Sequence, residues 1–219
     1  NKMIDPEKLY LTILIVFLII IIILVVIHTN NIDDINPLKY KTQNKNILII
    51  NSGGNLAKIH TKKGYKSKKG FLQSQLDIMT KNNKDIPFYD IIEYYPQLTP
   101  GKTNSSSWNR LANTINKYYN KYDSFIIIHP IETIAYTASA LTFMLDNLKK
   151  SIIFTASKYS IHQHNTSGRD NLFLAINMAT KYSIPEILVC YNNTITRGCR
   201  TIFSNDHISS PYYPPIARK

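Results

Sequence analysis

Apolar and polar residues alternate in blocks along most of the chain, and the blocks differ in length and period. Short, continuous apolar runs predict five buried strands, at residues 47–50, 89–94, 125–128, 152–154 and 187–191. Longer stretches between them predict helices at 71–81, 106–122, 132–147 and 169–182. Because buried apolar strands alternate with helices, the pattern predicts an α/β domain built on a parallel, doubly wound sheet.

A different pattern lies at the start of the chain, in an uncharged and mostly apolar run. It begins at Leu9 and ends at Ile27, and its length of about 19 residues suffices to cross a hydrocarbon core of roughly 30 Å as a helix. A secretory signal peptide usually has a shorter apolar region and an Ala-x-Ala cleavage site, which does not follow this run. A soluble helix with so much Ile and Val is also unusual. The run therefore predicts a transmembrane helix, with the lipid bilayer as its partner.

These two patterns divide the chain into four parts. Residues 28–45 are polar, include Pro37 and have no helical period, so we interpret them as a linker. The predicted organisation is an N-terminal flank at 1–8, a transmembrane helix at 9–27, this linker, and one α/β domain at 46–219. Lysines lie on both sides of the apolar run, so the positive-inside rule does not decide the orientation.

The chain has 219 residues and a formal net charge of +12, a balance that suits anionic lipid, nucleic acid or an acidic protein partner. The densest basic stretch lies between Lys58 and Lys69. It contains no Arg and only one Tyr, which argues against nucleic-acid recognition. His162 and His164 have the alternating spacing of a metal-binding strand, but no third ligand of Cys or carboxylate type stands nearby. No metal or cofactor is therefore expected.

The ligand crevice of a parallel sheet lies beyond the carboxyl ends of its strands, and the segments expected there carry several recognisable motifs. Ser52-Gly53-Gly54-Asn55 resembles the Thr-Gly-Gly-Thr signature of the asparaginase family, and residues 129–141 resemble its second signature, His-Gly-Thr-Asp-Thr followed by an Ala-rich helix. Arg197-Gly198-Cys199-Arg200 resembles a later turn of the family. The chain is thus similar to the amino-terminal domain of type I asparaginases from about residue 46 onward.

The resemblance implies an enzyme that hydrolyses a side-chain amide with a hydroxyl nucleophile, a base and oxyanion donors. At the positions that match the family's reacting groups, this chain has Asn55 and Ile131 in place of threonines, Glu132 in place of an aspartate, and Phe203 in place of a lysine. Tyr65, on the loop after the first signature, is retained. We therefore predict that no catalytic residue of the family set remains.

Three functional hypotheses follow from the sequence. The first is a non-catalytic structural subunit of a membrane-bound assembly, packed against other protein subunits or a second copy. Its expected location is either the capsid or internal membrane of a virion, or an organellar (mitochondrial) inner membrane. The second is an amidohydrolase with a rebuilt site that uses Ser52 or Tyr65. The third is a sensor module that binds a small amide or amino acid in the old pocket.

Overall fold

The computed structural model describes residues 18–21, 45–81, 87–204, 207–209 and 217–218. The chain divides into two compact units, residues 1–40 and residues 41–219. In the first unit the described residues 18–21 are helical, and their apolar side chains are exposed.

The prediction of a transmembrane helix at residues 9–27 is contradicted by the structure. Among the described residues, no helix has both the length and the apolar character that a membrane span requires. The rest of the predicted span, the flank at 1–8 and the linker up to residue 44 lie outside the described residues.

A seven-stranded sheet forms the centre of the second unit. Its strands are β1 (Ile47–Gly53), β4 (Tyr89–Leu98), β5 (Ser124–Ile128), β6 (Ser151–Thr155), β7 (Ile187–Tyr191), β8 (Thr194–Arg197) and β11 (Ala217–Arg218). Their order across the sheet is β11-β8-β7-β6-β5-β1-β4. The five neighbours β7, β6, β5, β1 and β4 are parallel to one another, β8 is antiparallel to β7, and β11 is antiparallel to β8.

Two small antiparallel hairpins stand outside the main sheet, β2 (Lys58–Thr61) with β3 (Gly64–Ser67), and β9 (Ile202–Ser204) with β10 (His207–Ser209). The helices are α1 (Phe71–Lys81), α2 (Ser105–Tyr118), α3 (Ile134–Met144) and α4 (Gly168–Lys181). Short 3₁₀ turns cover Pro100–Lys102, Ile131–Thr133 and Gly198–Arg200.

Both faces of the sheet are covered by helices, as the apolar strands predict. Alternate residues of each strand point to opposite faces, so Leu48 and Ile50 of β1 pack with α2 and α3, whereas Ile47 and Ile49 pack with α1 and α4. The residues of β1, β5, β6 and β7 are buried along the whole length of each strand. The sheet is mixed, however, which corrects the prediction of a wholly parallel one. The reason is the tight turn at Asn192 and Asn193, which sends β8 back along β7.

Candidate active site at the carboxyl ends of the parallel strands

Three segments meet at the carboxyl end of the parallel strands, where the ligand crevice of such a sheet is expected. They are the loop after β1, the end of β4 and the loop after β5. Gly53 and Gly54 have φ values of +151° and +88°, a region that L side chains rarely adopt. A Cβ atom at Gly53 would lie 2.2 Å from the Leu98 carbonyl oxygen, and one at Gly54 would lie 2.5 Å from that of His129. The two glycines therefore allow these three segments to touch.

A network of hydrogen bonds lies beneath these segments. It connects the end of β1, the loop after β5, α3 and α2. The Ser52 hydroxyl, at the end of β1, donates to the Ile128 carbonyl oxygen at 2.7 Å and lies 3.0 Å from His129 Nδ1. His129 Nε2 lies 2.9 Å from Thr137 Oγ1 on α3. Trp108 Nε1, on α2, donates to Thr137 Oγ1 at 3.2 Å. Ser52, His129 and Thr137 are fully buried or nearly so.

The directions of these bonds determine the tautomer of His129. The single Ser52 proton goes to the Ile128 carbonyl, so Ser52 Oγ accepts from His129, and Nδ1 must carry the ring proton. Nε2 is then an acceptor, and Thr137 donates to it. Because the ring is fully buried, the pKa of His129 is lowered to about 3, and the imidazole is neutral at physiological pH.

Thr133 lies at the edge of this hydrogen-bond network and is partly exposed. Its side chain is half-buried, and its hydroxyl lies 3.4 Å from His129 Nε2 and 3.2 Å from Thr103 Oγ1. Thr103 donates its own proton to the Thr99 carbonyl at 3.0 Å, so Thr133 is the donor toward Thr103. Sequence reasoning placed His129 and Thr133 only within the second signature. The signal for His129 was its place as a polar residue directly after an apolar strand.

Of the predicted site residues, two belong to an apolar wall. Ile131 is 5 % exposed and lies in the cluster beneath α2 and α3, and Phe203 packs against the same cluster. An apolar side chain at each of these positions fits its surroundings, because both help to cover the sheet. That they replace reacting groups of the family stays a prediction.

The remaining predicted residues lie on more polar parts of the crevice. Asn55 donates from Nδ2 to the Lys158 carbonyl at 3.1 Å, and the Tyr65 hydroxyl donates to Gln163 Oε1 at 2.9 Å. Glu132 is exposed. Burial lowers the pKa of Lys58, and the negative charge of Glu132 opposes that shift. The bond from Tyr65 to Gln163 joins the hairpin of β2 and β3 to the loop after β6.

Within the residues that the structure describes, no group of three or more His, Cys, Asp or Glu is placed to hold a metal ion. His162 is exposed, and its Nδ1 lies 2.8 Å from Ser160 Oγ.

Comparison with known proteins identifies the domain. The asparaginase amino-terminal domain family matches residues 46–218. L-asparaginase 1 of Escherichia coli is 35% identical over 179 residues, which cover 80% of this chain and 53% of that protein. L-asparaginase of Dirofilaria immitis is 37% identical over 141 residues, 63% of this chain and 24% of that protein. The crystal structure of L-asparaginase I from Vibrio cholerae superimposes with a TM-score of 0.74 at 34% identity, over 80% of this chain and 53% of that one.

These findings correct the functional prediction made from the sequence. The relatives at 35 and 37% identity carry the names of enzymes, which contradicts the expectation of an inactive, structural pseudoenzyme. The expected location in a virion or organellar membrane rested on the transmembrane helix, which the described structure contradicts. The chain spans about half the length of the E. coli relative. The match over residues 46–218, with this identity, means that the chain belongs to the asparaginase family and contains its amino-terminal domain.

Proposed function

We propose that this chain forms the amino-terminal part of an L-asparaginase-type amidohydrolase, which hydrolyses the side-chain amide of a small amino acid. The observation that carries the proposal is the close approach of the loops after β1 and β5 at the carboxyl end of the sheet. Gly53 and Gly54 allow this approach, and the Thr133 hydroxyl lies there, 3.4 Å from His129 Nε2. The enzyme names of the relatives at 35 and 37% identity support the same reaction class.

Amide hydrolysis through a covalent intermediate requires a hydroxyl nucleophile and a group that accepts its proton. Neither the Asn55 amide nor the Ile131 and Phe203 side chains can do this chemistry. The proposal therefore requires that other residues of the crevice supply the reacting groups. The predicted association with a second copy or with other subunits remains a proposal that is separate from this one.

The test is ammonia release by the whole purified chain, with asparagine and glutamine as substrates and aspartate as the control that lacks an amide. A preparation from cells without the expression plasmid's insert, purified in the same way, measures contaminating host asparaginase. We expect ammonia from at least one of the amides, with an equal amount of the corresponding acid. Release no faster than in the mock preparation, from a chain shown to be folded, would overturn the proposal.

A further inference from the structure

We infer that a second copy of this chain covers the outer face of helix α3, so that two copies associate across a two-fold axis. This outer face consists of Tyr136, Ser139, Ala140, Phe143 and Met144, all of which are exposed or half-buried. The association does not depend on the proposed hydrolysis and can be measured without it.

Helix α3 is apolar on both of its faces. On the inner face Ile134, Ala138 and Leu141 are 0% exposed and belong to the core that covers the sheet. On the outer face Tyr136 is 69% exposed and Phe143 is 76% exposed. The helix contains no Asp, Glu, Lys or Arg. A helix that is apolar all round is normally buried on every side, so the outer face of α3 lacks the polar side chains that suit contact with water.

The neighbouring helix α2 shows how a solvent-facing helix is built in this domain. It packs on the same face of the sheet as α3. All of its exposed residues are polar or charged, namely Ser105, Ser106, Asn109, Arg110, Asn113, Asn116 and Lys117. The exposed aromatic rings of α3 are therefore not a general property of the helices on this face of the sheet.

The apolar surface has the size of an interface core. The exposed parts of the Tyr136 and Phe143 rings together amount to roughly 300 Å². Met144 is 39% exposed, and strand β9, which contacts α3, adds Ile202 at 41% exposure. Monomers rarely expose contiguous apolar patches of more than a few hundred Å², and a stable dimer buries about 800 Å² on each copy. These side chains thus supply the apolar centre of an interface, and the polar residues around them supply its rim.

The order of side chains along the outer face favours a second copy as the occupant. A two-fold interface brings the same surface of both copies together, so that surface must be self-complementary. Two large residues, Tyr136 and Phe143, flank two small ones, Ser139 and Ala140, at helical spacing. A two-fold axis between the small residues places Tyr136 of each copy beside Phe143 of the other. The small side chains allow the two antiparallel helices to approach closely.

The charges at the two ends of α3 favour the same arrangement. Exposed Glu132 precedes the helix, whereas Asp146, Lys149 and Lys150 follow it and carry a net charge of one positive unit. Antiparallel packing brings the negative start of each helix toward the positive end of the other. A strongly acidic or basic partner would find no charged side chain on the outer face itself.

The first part of the closing experiment measures the mass of the whole purified chain by sedimentation velocity, at about 1 to 100 μM. We expect twice the mass of one chain. Phe143→Glu places two charges in the centre of the interface and should raise the dissociation constant by about 100-fold or more. Phe88→Glu is the matched control, because Phe88 is 72% exposed and lies just before β4, away from α3. This variant should dimerise as the wild type does.

The second part locates the axis by cross-linking. Ser139→Cys is made in a Cys199→Ser background, which removes the exposed thiol, while Cys190 is buried. A short bismaleimide should join two copies through position 139, because both thiols lie next to the axis. Asn109→Cys in the same background, on the exposed face of α2, should give little covalent dimer.

A wild-type chain that stays monomeric at the highest concentration would overturn the inference. So would association that Phe143→Glu leaves unchanged, or cross-linking that is equal at positions 139 and 109. Circular dichroism shows whether Phe143→Glu is folded, and the cross-link decides alone if it is not. Ammonia release is measured on the same samples. A dimer without turnover keeps the interface and removes the proposed hydrolysis, and a monomer with turnover does the reverse.

Discussion

The buried, neutral His129 makes the stability of this domain depend on pH in a way that can be calculated. In the folded chain the pKa of His129 is about 3, because burial disfavours the charged ring. In the unfolded chain an exposed histidine has a pKa of about 6.5. Between these two values the unfolded state binds more protons than the folded state, so stability falls as the pH is lowered from about 6.5 toward about 3.

The size of the effect follows from the two pKa values. Between pH 7 and pH 5, protonation of the unfolded chain at this one residue should lower the free energy of unfolding by about 2 kcal/mol. By pH 4 the loss should reach about 3 kcal/mol, and it is complete only below the folded-state pKa of about 3.

The assay is urea unfolding of the wild-type chain and of His129→Gln at pH 7, 6, 5 and 4. Glutamine can donate to Ser52 and accept from Thr137, but it does not titrate. The variant should be less stable at pH 7, because the imidazole packs edge-on against Phe154 with ring centroids 5.8 Å apart and that contact is lost. Its stability should nevertheless fall by about 2 kcal/mol less than that of the wild type between pH 7 and pH 5.

The control is His164→Gln, which removes an exposed histidine from the loop after β6. This variant should keep the wild-type loss of stability, because its ring is in contact with solvent in both states. Equal losses in the wild type and in His129→Gln would refute the reasoning. That result would mean that His129 takes up a proton in the folded domain as readily as in the unfolded chain, and that burial does not keep the ring neutral.

Two further substitutions test how the crevice and its supporting helix are built. Gly54→Ala should lower the free energy of unfolding by about 2 kcal/mol or more, because the residue has φ of +88° and its Cβ would lie 2.5 Å from the His129 carbonyl oxygen. Gly101→Ala, where a Cβ meets no atom within 4 Å, is the control in the same urea unfolding experiment, and equal effects would contradict the argument. Asn104→Ala should cost about 1 kcal/mol, because its side chain accepts from the Ser107 amide in the capping box of α2. Thermal unfolding followed by circular dichroism measures this loss, and Asn104→Ser, which can still cap, should recover most of it.

The elements that the sequence predicts well are a wholly buried strand and a helix with one apolar face. Strand β7 coincides with the predicted 187–191 and helix α1 with 71–81, because a wholly apolar run or a clear helical period has few alternatives. The predicted helix at 132–147 is divided in the structure into a 3₁₀ turn at Ile131–Thr133 and α3. Pro130 precedes this turn, and proline restricts the backbone of its neighbours.

The antiparallel part of the fold was not predicted, although one signal for it is present. Asn192 and Asn193 have φ values of +46° and +58°, the conformation that a two-residue hairpin turn requires and that asparagine tolerates. A pair of asparagines directly after β7 therefore indicates a hairpin and an antiparallel edge strand. The polar hairpin of β2 and β3 offers no comparable signal, since lysine is found mostly in exposed segments of any structure.

The crevice shows most clearly what a sequence contains and what it does not. Because β1 and β5 are parallel neighbours, the loops after them must meet, and that much follows from two apolar runs alone. The contact between Ser52 and His129 depends on the register as well, which pairs Asn51 with Ile128. A shift of one residue would turn Ser52 to the other face of the sheet. The neutral state of His129 then depends on burial by α2 and α3, since an exposed ring in the same position would titrate normally. The tautomer and the neutral state of His129 are thus fixed by pairing and packing, and residue type alone could not reveal them.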